Sequence, residues 1–168
     1  MRFHIEQEFA APLEVVEAAF VNPDLLARIG QLPKLGQPEL LSQDDDGTTV
    51  HQRVRYAFAG ELSSAVRRVI DPARLTWVED STLDRRTHCT TFRILPDNYA
   101  NRLQCSGSFA LSEVGADRTR RVAEGDVRVS FPLVGGKVER AIVSGLSEHA
   151  DLEVAVVNGW LADAASSG

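Results

Sequence analysis

Residues 132–163 read PLVGGKVERAIVSGLSEHADLEVAVVNGWLAD, a sharp stop followed by a long amphipathic run. Pro132 to Gly136 ends an extended segment, and the two glycines permit the positive φ that a tight turn requires. Gly135-Gly136-Lys137 opens a helix, where free backbone amides can also hold an anion. Beyond it Val138, Ile142, Leu146, Leu152, Val156 and Trp160 form an apolar stripe, with His149 on the same side. The pattern predicts one helix from about Gly136 to Asp163, roughly 40 Å long at 1.5 Å per residue. Gly145 and Gly159 inside it each cost up to about 1 kcal/mol relative to alanine. Such glycines allow a close backbone approach, or leave room for a ligand. Residues 164–168 are expected to be a disordered tail, leaving one domain over residues 1–163.

Upstream of the helix the period is two. Phe3, Ile5 and Phe9 alternate with Arg2, His4, Glu6 and Glu8, and Gln7 is the one polar residue on the apolar side. Ala11-Pro12 opens a short helix over Leu13, Val16 and Phe20. Asn22-Pro23 stops it and caps a second one ending near Ile29. Strands are then expected over residues 39–43, 50–58, 62–70, from Leu75 through Glu79, 86–95, 102–112 and 119–131. Asp44-Asp45-Asp46-Gly47 reads as a solvated hairpin turn, since it lacks the spaced carboxylates of a calcium loop. In the last strand Ala123, Gly125, Val127 and Val129 share one face. This order of elements makes an α+β chain.

With 168 residues, 43% hydrophobic and 25% charged, the chain can bury a core without disulfides or metal. Its longest apolar stretches are too short for a membrane span, and Met1 to Glu6 lacks the character of a signal peptide. A cytoplasmic protein is expected. The net charge of −6 is uneven, with acidic ends and a basic middle over residues 51–140. Nucleic-acid binders are basic overall with interleaved aromatics, so no nucleic-acid partner is expected. Arginine outnumbers lysine heavily, a codon signature of a GC-rich bacterial genome. Cys89 and Cys105 fit neither a CxxC motif nor metal spacing. Keeping apolar faces together pairs Phe92 with Cys105 and Ile94 with Leu103, which turns Cys105 inward, Cys89 outward and leaves both thiols free.

One strand, two short helices, a run of antiparallel strands and a long last helix together resemble the helix-grip fold of the START-like superfamily, which includes the birch-pollen-allergen group and the polyketide cyclases. In that fold a curved sheet of about seven strands wraps the C-terminal helix around an apolar cavity. The segments Asp71-Pro72-Ala73-Arg74-Leu75-Thr76-Trp77, Gly125-Asp126-Val127-Arg128-Val129 and Pro132 to Glu139 are similar to a bacterial family within it, the domain of unknown function 2505. The resemblance implies a fold and a cavity. It assigns no activity, because fold alone does not give function.

The chain contains no GxSxG, HExxH, P-loop or dinucleotide motif. No cofactor or metal is implied. On the inward faces, a few polar groups among apolar ones form the usual binding-site pattern. The candidate ligand-binding residues are Gln52, Tyr56, Trp77, Glu79, His88, Phe92, Phe109, Ile142, Leu146 and His149. His88 shares parity with Phe92 and Ile94. Three functions stay open at this point. The leading one is non-covalent binding of a hydrophobic small molecule of the lipid, polyketide or isoprenoid class. The second is a cyclase- or hydrolase-like enzyme using Glu79 with His149 or His88 as an acid–base pair. The third is a protein-interaction module.

Overall fold

The computed structural model describes residues 1–166. Its elements run β1 (Arg2–Phe9), α1 (Leu13–Phe20), α2 (Pro23–Ile29), β2 (Glu39–Asp45), β3 (Thr49–Ala57), α3 (Ser64–Arg67), β4 (Thr76–Asp84), β5 (Cys89–Pro96), β6 (Leu103–Glu113), β7 (Thr119–Val129) and α4 (Gly135–Ser166). The strands form one antiparallel sheet in the order β1-β7-β6-β5-β4-β3-β2. The chain folds as the helix-grip architecture, with the sheet curved around α4.

Two segments differ from the sequence expectation. Residues 62–70 are not a strand. Val66 and Ile70, four residues apart, are buried together around α3, and Leu62 packs on the same cluster. That spacing is helical, and the Ser63 side chain accepts the Val66 amide to start the turn. The last helix continues through Ser166, so Ala164, Ala165 and Ser166 are helical where a disordered tail is expected; residues 167–168 lie outside the described residues. Among the described residues no helix is long and apolar enough to cross a membrane.

Register assigns the concave face. Gln7 stands opposite Arg121, Phe109 opposite Ala123, Ile94 opposite Cys105, Glu79 opposite both Ile94 and Val54, and Tyr56 opposite Trp77. The β5–β6 parity matches expectation, with Cys105 inward and both thiols free. The pairing itself is shifted by two residues, since Phe92 meets Gly107 and Ile94 meets Cys105. Gly107 and Gly125 face each other midway along the β6–β7 ladder. A Cβ on Gly107 would lie 2.1 Å from the Glu124 carbonyl, and one on Gly125 2.5 Å from the Phe3 ring.

The turn into α4 also departs from expectation. The left-handed residue is Leu133, at φ 65° and fully exposed. Gly135 is required instead by close approach, because a Cβ there would sit 2.4 Å from the Val129 carbonyl.

Helix α4 packs on β1 and β7 and against α1 and α2. Its buried positions are Gly135, Val138, Ala150, Glu153, Val157 and Leu161, whereas Leu152 is 46% exposed. The stripe continues from Leu146 in steps of three and four, through Ala150 to Glu153, and six residues on to Leu152 leaves that face. The core is divided. One apolar cluster gathers Phe3, Phe92, Val127 and Val138 with α3; the other joins Phe9, Val16, Leu25, Val157 and Leu161. Fully burying such a side chain contributes about 1.5–3 kcal/mol, so the two clusters hold the ends of α4. Between them the middle of the helix spans a more polar region.

Candidate functional site

The polar region begins with three residues from three elements. Gln7 on β1 donates through Nε2 to the Ala150 carbonyl at 2.7 Å and to Glu153 Oε2 at 2.9 Å. Its Oε1 accepts from Arg121 Nε at 2.8 Å. Arg121 also pairs with Glu153, and both are buried. The guanidinium is stacked 4.1 Å from the Phe20 ring centroid and flanked by Phe109 and Phe9 at 5.2 and 5.5 Å. A buried charge pair is tolerated only when its remaining hydrogen-bonding groups are also met, and Gln7 supplies that. None of the three was among the sequence candidates. Two signals were available: Gln7 breaks the apolar face of β1, and Arg121 shares the parity of Ala123.

Beside this triad the concave face of β3, β4 and β5 is less tightly covered, because α4 lies over β1 and β7. Tyr56, Trp77, Glu79, Ile94, Phe109, Ile142, Leu146 and His149 all keep part of their surface water-accessible. The Tyr56 and Trp77 rings stack at 5.9 Å and 21°. Glu79 follows Trp77 on the same face. Tyr56, Glu79 and His149 make no hydrogen bond or ion pair to any described residue. Burial pushes the Glu79 carboxyl up to about 7; the Glu153 charge adds to this and Arg121 opposes it. Burial also holds the His149 imidazole below its usual range, again with Glu153 and Arg121 acting in opposite senses. The Tyr56 hydroxyl is raised by burial, then by Glu79 and Glu153. These groups therefore share one internal environment, on the inner face of the sheet toward α4.

Other candidates lie elsewhere. His88 sits in the β4–β5 turn at φ 53°, outside the strand whose parity pointed it inward. Its Nδ1 bonds Glu17 Oε2 at 2.8 Å, tying the turn to α1. Gln52 does lie on the inner face, but its Nε2 donates to Gln43 Oε1 at 2.8 Å on the edge strand β2. Phe92 is a core residue, 8% exposed and stacked on Phe109 at 4.7 Å. Glu79 contacts neither His149 nor His88 within ion-pair distance, so the expected Glu–His pair is not formed among the described residues. Neither helix glycine makes a close approach. A Cβ on Gly145 or Gly159 would meet nothing within 4 Å.

The rim is clasped. Lys34, in the loop between α2 and β2, reaches Glu148 of α4 with its Nζ at 2.5 Å. The same loop bonds the end of β3 through Gly36 to Ala57 and Ala59 to Lys34. Two open grooves lie outside the Tyr56–Glu79–His149 set, the larger one sharing Ile94 with that set's surroundings. One of about 460 Å³ lies where β5 and β6 splay beyond Ile94 and Cys105, and one of about 340 Å³ lies between α2 and α4. No set of three or more His, Cys, Asp or Glu among the described residues could hold a metal ion.

Solved structures share this fold. The protein TTHA0849 from Thermus thermophilus superposes with a TM-score of 0.70 at 15% identity, over 98% of this chain and 99% of that one. The Zhui aromatase/cyclase from Streptomyces sp. R1128 gives 0.62 at 20% identity, covering 96% and 94%. A START superfamily protein from Mycobacterium smegmatis gives 0.59 at 16% identity, covering 96% and 97%. At these identities the likeness is one of fold, and it identifies the sheet-and-helix grip as START-like. No curated protein matches the chain. Residues 4–161 match DUF2505, described as "Protein of unknown function", and the chain belongs to that family.

Proposed function

We propose that the protein binds a hydrophobic small molecule, of the lipid, polyketide or isoprenoid class, in the cleft between α4 and β3–β5, without covalent chemistry. One observation carries this reading. Tyr56, Glu79 and His149 have no hydrogen-bond or ion-pair partner among the described residues, and they stand among partly accessible apolar side chains on the inner face. A sealed core pairs its polar groups; a ligand site leaves a few free to orient what enters. The apolar contribution would come from Trp77, Phe109, Ile142 and Leu146, with Phe92 supporting Phe109 from behind. Gln52 would line the edge nearest β2. The aromatase/cyclase named above is an enzyme on the same fold. Acid–base catalysis needs groups in hydrogen-bond reach, and the Glu79–histidine pairs of that alternative are not in reach here.

The test uses N-phenyl-1-naphthylamine, a neutral fluorophore that brightens in apolar surroundings. The native protein should give a saturable enhancement. A Gly145→Trp variant, which adds an indole to α4 one turn before His149 at a position where a Cβ meets nothing within 4 Å, should lose most of it and keep a cooperative melting transition. Absence of saturable enhancement with native protein would overturn the reading. Native mass spectrometry of freshly purified protein would show any lipophile carried through purification.

A further inference from the structure

Among the described residues the Glu79 carboxyl has no hydrogen bond, and no cation lies within ion-pair distance of it. It is only half-buried, on the inner face of β4. Two residues before it on the same face is Trp77, stacked on Tyr56. An unpaired carboxylate on the same strand face as a stacked pair of aromatic rings is the chemistry that receives an organic cation. The rings attract the charge electrostatically, and the carboxylate accepts its hydrogen bonds.

We propose that the ligand carries a protonated amine at its polar end, held by Glu79 against the Tyr56–Trp77 pair. This rests on the cleft being a hydrophobic-ligand site, and adds the chemistry of the head group.

The other charged and titratable groups around the site agree. From α4 come His149 and Glu153, from β7 Arg121, from β3 Tyr56 and from β6 Cys105. His149 is held neutral by burial, and the Cys105 thiol is pushed up to about 11, mainly by burial. Arg121 is the one cation in this set, and it is already engaged by Glu153 and Gln7 and boxed by three phenyl rings. At Tyr56, Glu79 and His149 alike, the influence of Glu153 exceeds that of Arg121. An entering carboxylate therefore meets net negative surroundings, and an entering ammonium meets its complement.

The experiment displaces N-phenyl-1-naphthylamine with three probes of equal chain length: dodecylammonium, dodecanol and dodecanoate, each kept below its micelle concentration. It is run at about pH 8, where Glu79 is ionised and the amine is protonated. Dodecylammonium should displace at about tenfold lower concentration than dodecanoate, a difference of about 1.4 kcal/mol. In Glu79→Gln this preference should collapse while dodecanol still displaces. At about pH 5.5, where Glu79 is protonated, the preference in native protein should shrink in the same way. If dodecanol displaces but amine and acid are equal, the head-group assignment fails and the cleft reading stands. If dodecanoate is preferred, the assignment also fails, and Arg121 rather than Glu79 sets the polarity. If no probe displaces the fluorophore, or the fluorophore never binds, the cleft reading itself fails.

Discussion

Gln7 and Arg121 face each other directly across β1 and β7, and both direct polar atoms to Glu153 at the middle of α4. One buried residue from each of three elements thus fixes the height and register of the helix over the sheet. The divided core follows from this arrangement, because the two apolar clusters lie to either side of the triad.

Breaking this set should cost more than removing it. Glu153→Ala leaves the Arg121 charge buried and half-partnered, for which about 3–5 kcal/mol is expected. The double variant Arg121→Met, Glu153→Leu should recover most of that loss. Urea unfolding of the single and double variants checks it. A single-variant loss below about 1 kcal/mol would show that the pair does not organise the fold.

The raised Glu79 carboxyl makes stability depend on pH. Its folded value near 7 lies above its ordinary 4.5, so between those values the folded protein holds the extra proton. Its stabilisation is full below about pH 4.5 and is lost as pH rises to about 7. His149 acts in the opposite sense, since its lowered folded value costs stability below about pH 6.5. Glu79→Gln should therefore stabilise the empty protein at pH 8, by on the order of 1–3 kcal/mol, and much less at pH 5. Equal effects at both pH values would mean that Glu79 is not desolvated.

His88 should behave as a structural residue. Its bond to Glu17 holds a carboxylate that is 6% exposed, with Arg85 next nearest at 4.0 Å. His88→Ala should lower stability by about 1–3 kcal/mol and leave fluorophore affinity unchanged. Weakened binding with an unchanged melting temperature would return His88 to the site.

The open surroundings of Gly145 give a prediction of opposite sign. Alanine there meets no atom within 4 Å, so Gly145→Ala should stabilise by about 0.5–1 kcal/mol. A loss of stability in thermal unfolding would reveal a close approach after all.

Much of the fold was legible because strand parity and helix period are local. Alternation turned Cys105, Glu79 and Tyr56 inward, and a two-residue slip between β5 and β6 left every facing unchanged. What was hidden depended on partners distant in sequence. Glu153 resembles a surface residue until Arg121 and Gln7 are brought to it, so the apolar period reads through Leu152 instead. His88 shares the parity of Phe92, but the left-handed turn before β5 breaks the alternation that would have turned it inward. Leu62, Val66 and Ile70 carry a helical period, but over nine residues that period is too short to be told from alternation.

The central claim is that a hydrophobic ligand occupies the cleft beside Glu79. Amide and methyl NMR spectra recorded during titration with N-phenyl-1-naphthylamine test it most directly. The largest shifts should cluster at Tyr56, Trp77, Glu79, Ile142, Leu146 and His149, with smaller ones at Phe109. Shifts confined to the groove between α2 and α4 or to the splayed ends of β5 and β6, with the cleft signals unmoved, would contradict it.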